Sequence, residues 1–453
     1  MPVGDATIGP YPSRRQRADR SRRSARMSFS EAIDRDAQDL SDLQILIEEV
    51  QPRASFDPTH ARDLLAHRGD YRKQEHHLDD WAWSLRRTWL ALGHAAGDLT
   101  PKSPCIDTPI PHLASGSAVA FGYERELDIS VLEGRGTAYA GCFNGWSTEV
   151  VICRSGQAAL TCLLHYAIAR WGDEGRLTSV HAGSYFETTS LLGLWPDRVL
   201  TPRGRDDEVD LLLLEPVGCD GQFWLPGSLP SVRRATLMDI TLAGPAHDVG
   251  RYLSRAPMLF AFSSGLKLDQ AGLELANVGI IRIYARRAEA GYVARELRRI
   301  RGLTGAGLTL DELSALSAPW FLSRPYAEKY VAGIFANNKA LAMAIGQRPL
   351  FEQACHPSTI HAGDDAPFCA LMLRNPTDER YDRLLGFIDR EVDRRGINAT
   401  KGGSFGFRGH RYELIKPDRG PAFIRVAMGW RSGYSRDRLC ELFAELSESS
   451  LGS

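Results

Sequence analysis

Apolar residues change their spacing along the chain, and each spacing predicts a different element. Over 28–98, Ala32, Ile33, Leu40, Leu43, Leu46, Ile47 and Val50 recur at helical intervals, and Trp81, Trp83, Leu85, Trp89 and Leu90 mark a second helix. Pro101, Pro104, Pro109 and Pro111 then make 99–115 read as a linker. From about 116 to 305, short apolar runs alternate with helical stretches. Strands are expected at 148–153 (TEVVIC), 178–181, 210–215 (DLLLLE), 234–239 (RATLMD), 258–262 (MLFAF) and 280–284 (IIRIY), and helices at 156–171 and 188–195. The unbroken apolar run of DLLLLE suits a strand covered on both faces. Such alternation predicts an α/β fold with a mainly parallel sheet.

A helical stretch from about 286 to 345 follows, and then a smaller α+β unit. That unit is expected to hold strands at 369–373 and 422–428 and helices at 378–395 and 436–446. The chain thus divides into a leader (1–27), a helical extension with its linker (28–115), a large domain (116–345) and a small C-terminal domain (346–453). No internal repeat is visible.

Composition narrows the classes of function. The 453 residues are 43% hydrophobic and 25% charged, as in an ordinary soluble globular protein. Lys plus Arg total 55 against 56 Asp plus Glu, and this balance gives no support for bulk nucleic-acid binding. Arg14, Arg15, Arg17, Arg20, Arg22, Arg23 and Arg26 crowd the leader, which reads as disordered. No apolar segment follows them, so no secretory or twin-arginine signal fits, and no run approaches the roughly 18 apolar residues of a membrane helix. Eight scattered cysteines without a CxxC pair suit a reduced interior. A cytoplasmic protein without a membrane partner is expected. The pairs His76-His77 and His356…His361 lack metal-ligand spacing, so they read as surface or packing residues and no metal is expected.

The chemistry concentrates at the ends of the expected strands, where open α/β sheets bind ligands. Ser155-Gly156-Gln157-Ala158-Ala159-Leu160 follows VVIC and opens a helix, whose free N–H groups suit a phosphate. Tyr185 lies in the loop after the second strand, where its ring could stack on a planar group. Asp239 ends RATLMD and could keep a pyridine nitrogen protonated. Lys267 follows MLFAF in Ser263-Ser264-Gly265-Leu266, a small-residue turn that would desolvate its amine and free it to attack an aldehyde. Taken singly, each has a bland explanation as a helix cap, core tyrosine, turn aspartate or solvated lysine. Their order is what points to one site.

That order resembles the fold-type I enzymes dependent on pyridoxal 5'-phosphate (PLP). Within them it is similar to the Cys/Met-metabolism branch of cystathionine γ-synthases, γ-lyases and β-lyases. The family's Ser-Gly-Met-Ala-Ala matches Ser155 to Ala159, and its Tyr-Gly-Gly-Thr matches Tyr185 to Thr188. Its Asp-Asn-Thr matches Asp239-Ile240-Thr241, and its Ser-x-Thr-Lys matches Ser264 to Lys267. Tyr123-Glu124-Arg125 is similar to the element that reaches the phosphate of a neighbouring subunit. Arg425, in Phe423 to Gly429, resembles the arginine that grips the substrate carboxylate, and Ser404 stands in the place of the segment near the substrate. Leu266 replaces a phosphate-binding threonine, the asparagine expected after Glu215-Pro216 is not recognisable, and the first hundred residues have no counterpart.

The resemblance implies a fold-type I large domain and a smaller C-terminal domain. It implies PLP held as a Schiff base on Lys267, with Ser155, Gly156, Gln157, Tyr185, Asp239, Thr241, Ser264 and Arg125 around the cofactor and Arg425 and Ser404 around the substrate. It further implies a homodimer or homotetramer with shared active sites. Lys267 would remove the α-proton of an amino acid whose γ- or β-substituent is eliminated or replaced, with Tyr185 assisting as a proton donor. An aminotransferase is the alternative, although Thr241 stands where many of those enzymes have a tyrosine. A PLP-fold regulator or scaffold is a lesser one.

Overall fold

Ser28 starts the first helix. Its hydroxyl accepts the N–H of Glu31 while the Glu31 carboxylate accepts the N–H of Ser28, a reciprocal cap that opens α1 (Phe29–Val50). The computed structural model describes residues 27–57, 59–97, 110–119, 123–172, 177–183, 185–200, 208–218, 229–286, 289–359, 365–417 and 421–451. The leader up to residue 26 and most of the expected linker lie outside them. Two helices follow α1: a short α2 (Thr59–Ala66), which the sequence pattern does not reveal, and the long α3 (Tyr71–Gly97). Ile33, Leu40, Leu43 and Ile47 of α1 meet Trp81, Leu85 and Trp89 of α3 in one core.

The large domain runs α4 (Ser130–Ala140), β1 (Trp146–Cys153), α5 (Gly156–Trp171), β2 (Leu177–Ala182), α6 (Phe186–Leu192), β3 (Val199–Leu200), β4 (Val209–Leu214), β5 (Val232–Asp239), β6 (Met258–Ser264), α7 (Gly265–Leu268), β7 (Gly279–Arg286), α8 (Glu289–Thr304) and α9 (Leu310–Leu316). The sheet order is β1-β7-β6-β5-β4-β2-β3. Strands β6, β5, β4, β2 and β3 pair in parallel. Strand β7 is antiparallel to both β6 and β1, so β1 again runs with the parallel set. The mainly parallel sheet is as expected, and the carboxyl ends of β1, β2, β4, β5 and β6 share one edge.

Alternation explains the unbroken apolar run of β4. Leu211 and Leu213 face a core with α5 and α8, whereas Leu212 and Leu214 face the opposite core with Met238, Leu259 and Tyr284. The short helix near 188–195 begins earlier than the pattern suggests, at Phe186, because Tyr185 takes the cap position.

α10 (Arg324–Ile345) carries the chain to the small domain. This comprises β8 (Phe351–Cys355), β9 (Cys369–Leu373), α11 (Asp378–Arg395), β10 (Ala399–Lys401), β11 (His410–Ile415), β12 (Phe423–Ala427) and α12 (Tyr434–Glu445). Its sheet order is β10-β11-β12-β9-β8. α10 belongs to both domains: Tyr330, Val331 and Ile334 sit in the α1–α3 core, and Leu341, Ala342 and Ile345 sit in the small-domain core. Its buried Asn337 and Asn338 donate to the carbonyls of Gly429 and Met428, pinning the exit of β12 to the helix.

The N-terminal helices are not a detached module. Trp89 Nε1 donates to the Ala315 carbonyl at 2.8 Å, and Ala114 N–H donates to Ser314 Oγ at 2.7 Å, so 110–115 docks on α9 rather than hanging as a linker. Asp39 of α1, 1% exposed, pairs with Arg408 of the small domain at 2.6 Å and also receives Lys329 at 2.9 Å. Burial works against the Asp39 charge, yet Arg408 and Lys329 hold its carboxyl below the usual range. Arg431, also buried, pairs with Asp79 of α3. Among the described residues no helix is long and apolar enough to cross a membrane.

Removing one partner of a buried pair strands the other charge. Asp39→Asn is expected to cost about 3 kcal/mol or more in a denaturant titration. Adding Arg408→Met to it should recover part of that loss.

Candidate active site

Each strand that ends on the shared edge delivers a polar group. Ser155, just past β1, caps α5: its hydroxyl accepts the N–H of Ala158 at 3.0 Å and its carbonyl accepts that of Ala159. First-turn amides precede the first i−4 acceptor, so those of Gly156 and Gln157 point toward the edge. A Cβ on Gly156 would come within 3.2 Å of Ser264 Cβ, so this cap lies against the exit of β6. Gln157 donates to Glu187 at 2.9 Å, which ties the start of α5 to the start of α6.

Tyr185 stands before α6, and its N–H donates to both oxygens of Glu215 at 3.2 and 3.1 Å. Its ring meets Phe186 edge-on at 5.5 Å. Glu215 follows β4 and also takes His181 Nε2 at 2.8 Å, and His181 Nδ1 lies 3.2 Å from Thr189 Oγ1.

Asp239 closes β5. Its Oδ1 accepts the N–H of Thr241 at 2.8 Å, and Thr241 Oγ1 accepts the N–H of Ser264 at 3.0 Å. Asp239, Thr241 and Ser264 therefore form one bonded line across β5 and β6. Asp239 forms no ion pair among the described residues. Burial pushes its carboxyl up to about 6; the Thr241 bond opposes the rise and the Glu215 charge adds to it.

Lys267 lies in α7, directly after β6. Its Nζ donates to Ser404 Oγ of the small domain at 2.5 Å and sits 5.8 and 6.0 Å from the ring centres of Phe405 and Phe407. Burial lowers its pKa first, and the positive charges of Arg425 and Arg411 lower it further, against Glu274 and Glu187. Ser404 adopts φ +75°, a strained conformation for a side-chain-bearing residue. Glycine is required at 406: φ is +84°, and a Cβ there would fall 2.1 Å from the Lys267 carbonyl oxygen.

Arg425 of β12 lies opposite Glu413 of β11 in the antiparallel register. Its Nε donates to Glu413 Oε1 at 2.8 Å and its Nη2 donates to the same oxygen. That oxygen also accepts the N–H of Ser404 at 3.1 Å.

The structure thus brings together Ser155, Gly156, Gln157, Tyr185, Asp239, Thr241, Ser264, Lys267, Ser404 and Arg425. Arg125 lies beside Arg154, the neighbour of Ser155. Its guanidinium lies over the Tyr123 ring at 4.7 Å, and it lines a cavity of about 100 Å³ with Arg154 and Arg301. His181, Glu187, Glu215 and Glu413 belong to the site but were not among the expected residues. Glu215 had a readable signal, since it directly follows the clearest strand of the chain. Among the described residues no group of three His, Cys, Asp or Glu side chains is placed to hold a metal.

No family model matches the chain and no curated protein sequence matches it. Solved structures do. A methionine gamma lyase from Micromonospora echinospora superposes with a TM-score of 0.53 at 15% identity, covering 79% of this chain and 98% of that one. A cystathionine gamma synthase from Xanthomonas oryzae pv. oryzae, in complex with aminoacrylate and cysteine, gives 0.51 at 13% identity over 80% of this chain and 97% of its own. The fold is fold-type I. The fold-type I match spans nearly all of each neighbour and leaves about a fifth of this chain outside it.

A raised carboxyl makes a pH prediction. The folded Asp239 holds its proton up to about pH 6 and the unfolded chain releases it near 3.9, so folding takes up a proton between these values. Stability from this group falls as pH rises through that window, and the ionised carboxylate then costs about 3 kcal/mol. Cofactor-free Asp239→Asn is expected to melt a few degrees higher than the wild type at pH 7, with the difference vanishing near pH 4 in thermal scans.

Proposed function

We propose that the chain is a PLP-dependent enzyme that eliminates or replaces a γ- or β-substituent of an amino acid, with Lys267 as the cofactor lysine. The observation that carries this reading is the convergence of three unlike groups on one sheet edge. They are a lysine amine whose pKa burial lowers, a half-buried aspartate with no ion pair among the described residues, and a capped helix N-terminus.

This donor set fits the cofactor. The Asp239 carboxylate is destabilised by burial, and a protonated ring nitrogen beside it would relieve that cost. The amides of Gly156 and Gln157, with Ser155, form an anion site for the phosphate at the end of a 16-residue helix. Leu266 offers no hydroxyl there, whereas Ser155 and Ser264 do. In this reading Tyr185 stacks on the ring, Thr241 and Ser264 line it, and Arg125 serves the phosphate of a neighbouring subunit in a homodimer or tetramer.

Bound PLP would supply an electron sink for charge released at the substrate α-carbon. The protein does the rest. Lys267 Nζ, whose pKa is lowered by burial and by Arg425, is the amine placed to attack a carbonyl and to take the α-proton. Ser404 Oγ holds that nitrogen in place. Asp239 would hold the ring nitrogen of bound PLP and favour its protonated form. The aromatic rings of Phe405 and Phe407 flank Nζ. Ser404 and Arg425 would face the carboxyl end of the substrate and so help orient its α-carbon bonds.

Two measurements test the reading. Purified protein is expected to carry an absorbance band from lysine-bound PLP that is lost in Lys267→Ala; a band that persists unchanged overturns the assignment. Asp239→Asn should bind PLP at least about tenfold more weakly while still folding. Incubation with amino acids bearing γ- or β-leaving groups, offered both as free acids and as carboxyl-masked derivatives, should release ammonia and a 2-oxo acid or its masked derivative from at least one of the two forms. Accumulation of the aminated cofactor without release would instead make the chain an aminotransferase.

A further inference from the structure

The anion-binding corner beside Lys267 is already filled by the chain itself. Three donors converge on Glu413 Oε1: Arg425 Nε at 2.8 Å, Arg425 Nη2, and the backbone N–H of Ser404 at 3.1 Å. One bond further on, Ser404 Oγ meets Lys267 Nζ at 2.5 Å. The edge of a guanidinium together with a backbone N–H is the set of donors a ligand carboxylate would use. Here a side-chain carboxylate uses it.

The arrangement is built into the sheet. Glu413 and Arg425 are directly opposed across β11 and β12, so their side chains share one face and meet without distortion. The guanidinium carbon also lies 5.4 Å from the Phe368 ring and 6.0 Å from the Phe405 ring, which restrict its swing. The Ser404 N–H is fixed by the left-handed turn at that residue.

We infer that Glu413 is a specificity-determining residue that excludes a free α-carboxylate. The substrate taken at Lys267 is then an amino-acid derivative whose carboxyl group is masked as an amide, ester or thioester. The inference rests on Lys267 being the cofactor lysine. Its physical basis is charge. Glu413 already occupies the Nε–Nη2 edge of Arg425, and a second carboxylate arriving at the outer nitrogen would meet Glu413 as a like charge. An uncharged carbonyl oxygen can accept from that outer nitrogen without the repulsion. Glu413 thus turns a carboxylate grip into a carbonyl contact.

The test uses ligands that cannot lose an α-proton, so that binding is read without turnover. α-Methyl-L-methionine and its amide are titrated calorimetrically into the PLP-loaded wild type and into Glu413→Gln. The glutamine keeps the shape of the side chain and removes its charge. The wild type is expected to bind the amide at least about tenfold more tightly than the acid. Glu413→Gln should gain about tenfold for the acid and change little for the amide. The inference is overturned if the wild type prefers the acid, or if a folded Glu413→Gln fails to gain affinity for it. The wild-type preference alone decides the matter should the variant not fold. An absorbance band independent of Lys267 would remove the cofactor assignment, whereas the order of the two affinities judges Glu413 separately.

Discussion

The seating of the Gly406 turn on the backbone of Lys267 is the contact on which the rest of the site depends. A single Cβ at 406 would collide with the Lys267 carbonyl oxygen, so the small domain reaches the sheet edge only through a glycine. Three separate parts of the chain hold that turn. Tyr330 of α10 donates to the Gly406 carbonyl, Arg408 two residues on is anchored by Asp39 of α1, and Ser404 two residues before is bonded to Glu413 and Lys267. The N-terminal helices therefore act on the site although none of the groups expected to touch cofactor or substrate lies on them. Their acidic residues neutralise arginines of the small domain and so fix its position against the large one.

The electrostatics of the site run against stability in a way that suits binding. Asp239 is a carboxylate that burial disfavours, Lys267 is an amine that burial and Arg425 disfavour, and Ser404 sits in a strained backbone region. Each is a local cost that the surrounding cores offset. Arg425 is the exception, because Glu413 satisfies it within the chain. The contrast separates the two sides of the site: Asp239 has no ion pair among the described residues, whereas Arg425 is already paired with Glu413.

Much of the large domain could be read from the sequence because its strands are short apolar runs that bury both faces, and periodicity registers burial. TEVVIC, DLLLLE, RATLMD and MLFAF each correspond to an observed strand, and the carboxyl ends of those strands lie on one edge. The helix from Gly156 and the helix from Asp378 were bounded by a serine and a threonine cap and were legible to the residue. β11 was not, because His410, Arg411 and Glu413 interrupt its alternation; those polar residues are placed there by contacts with Gly429, Glu274 and Arg425. The short α2 carries too few apolar positions to show a period.

The sequence by itself determined the order of Ser155, Tyr185, Asp239 and Lys267 and their places at strand ends. Local rules suffice for this: a cap needs a serine, a turn needs small residues, and a strand exit follows an apolar run. Only the tertiary structure decided that Ser404 and Glu413, well over a hundred residues away, complete the surroundings of Lys267, and that Arg425 is already paired. Those facts depend on cross-strand register and on the close approach of two domains at a glycine. Neither leaves a periodic trace in the chain, because contacts between distant segments are fixed by packing rather than by spacing.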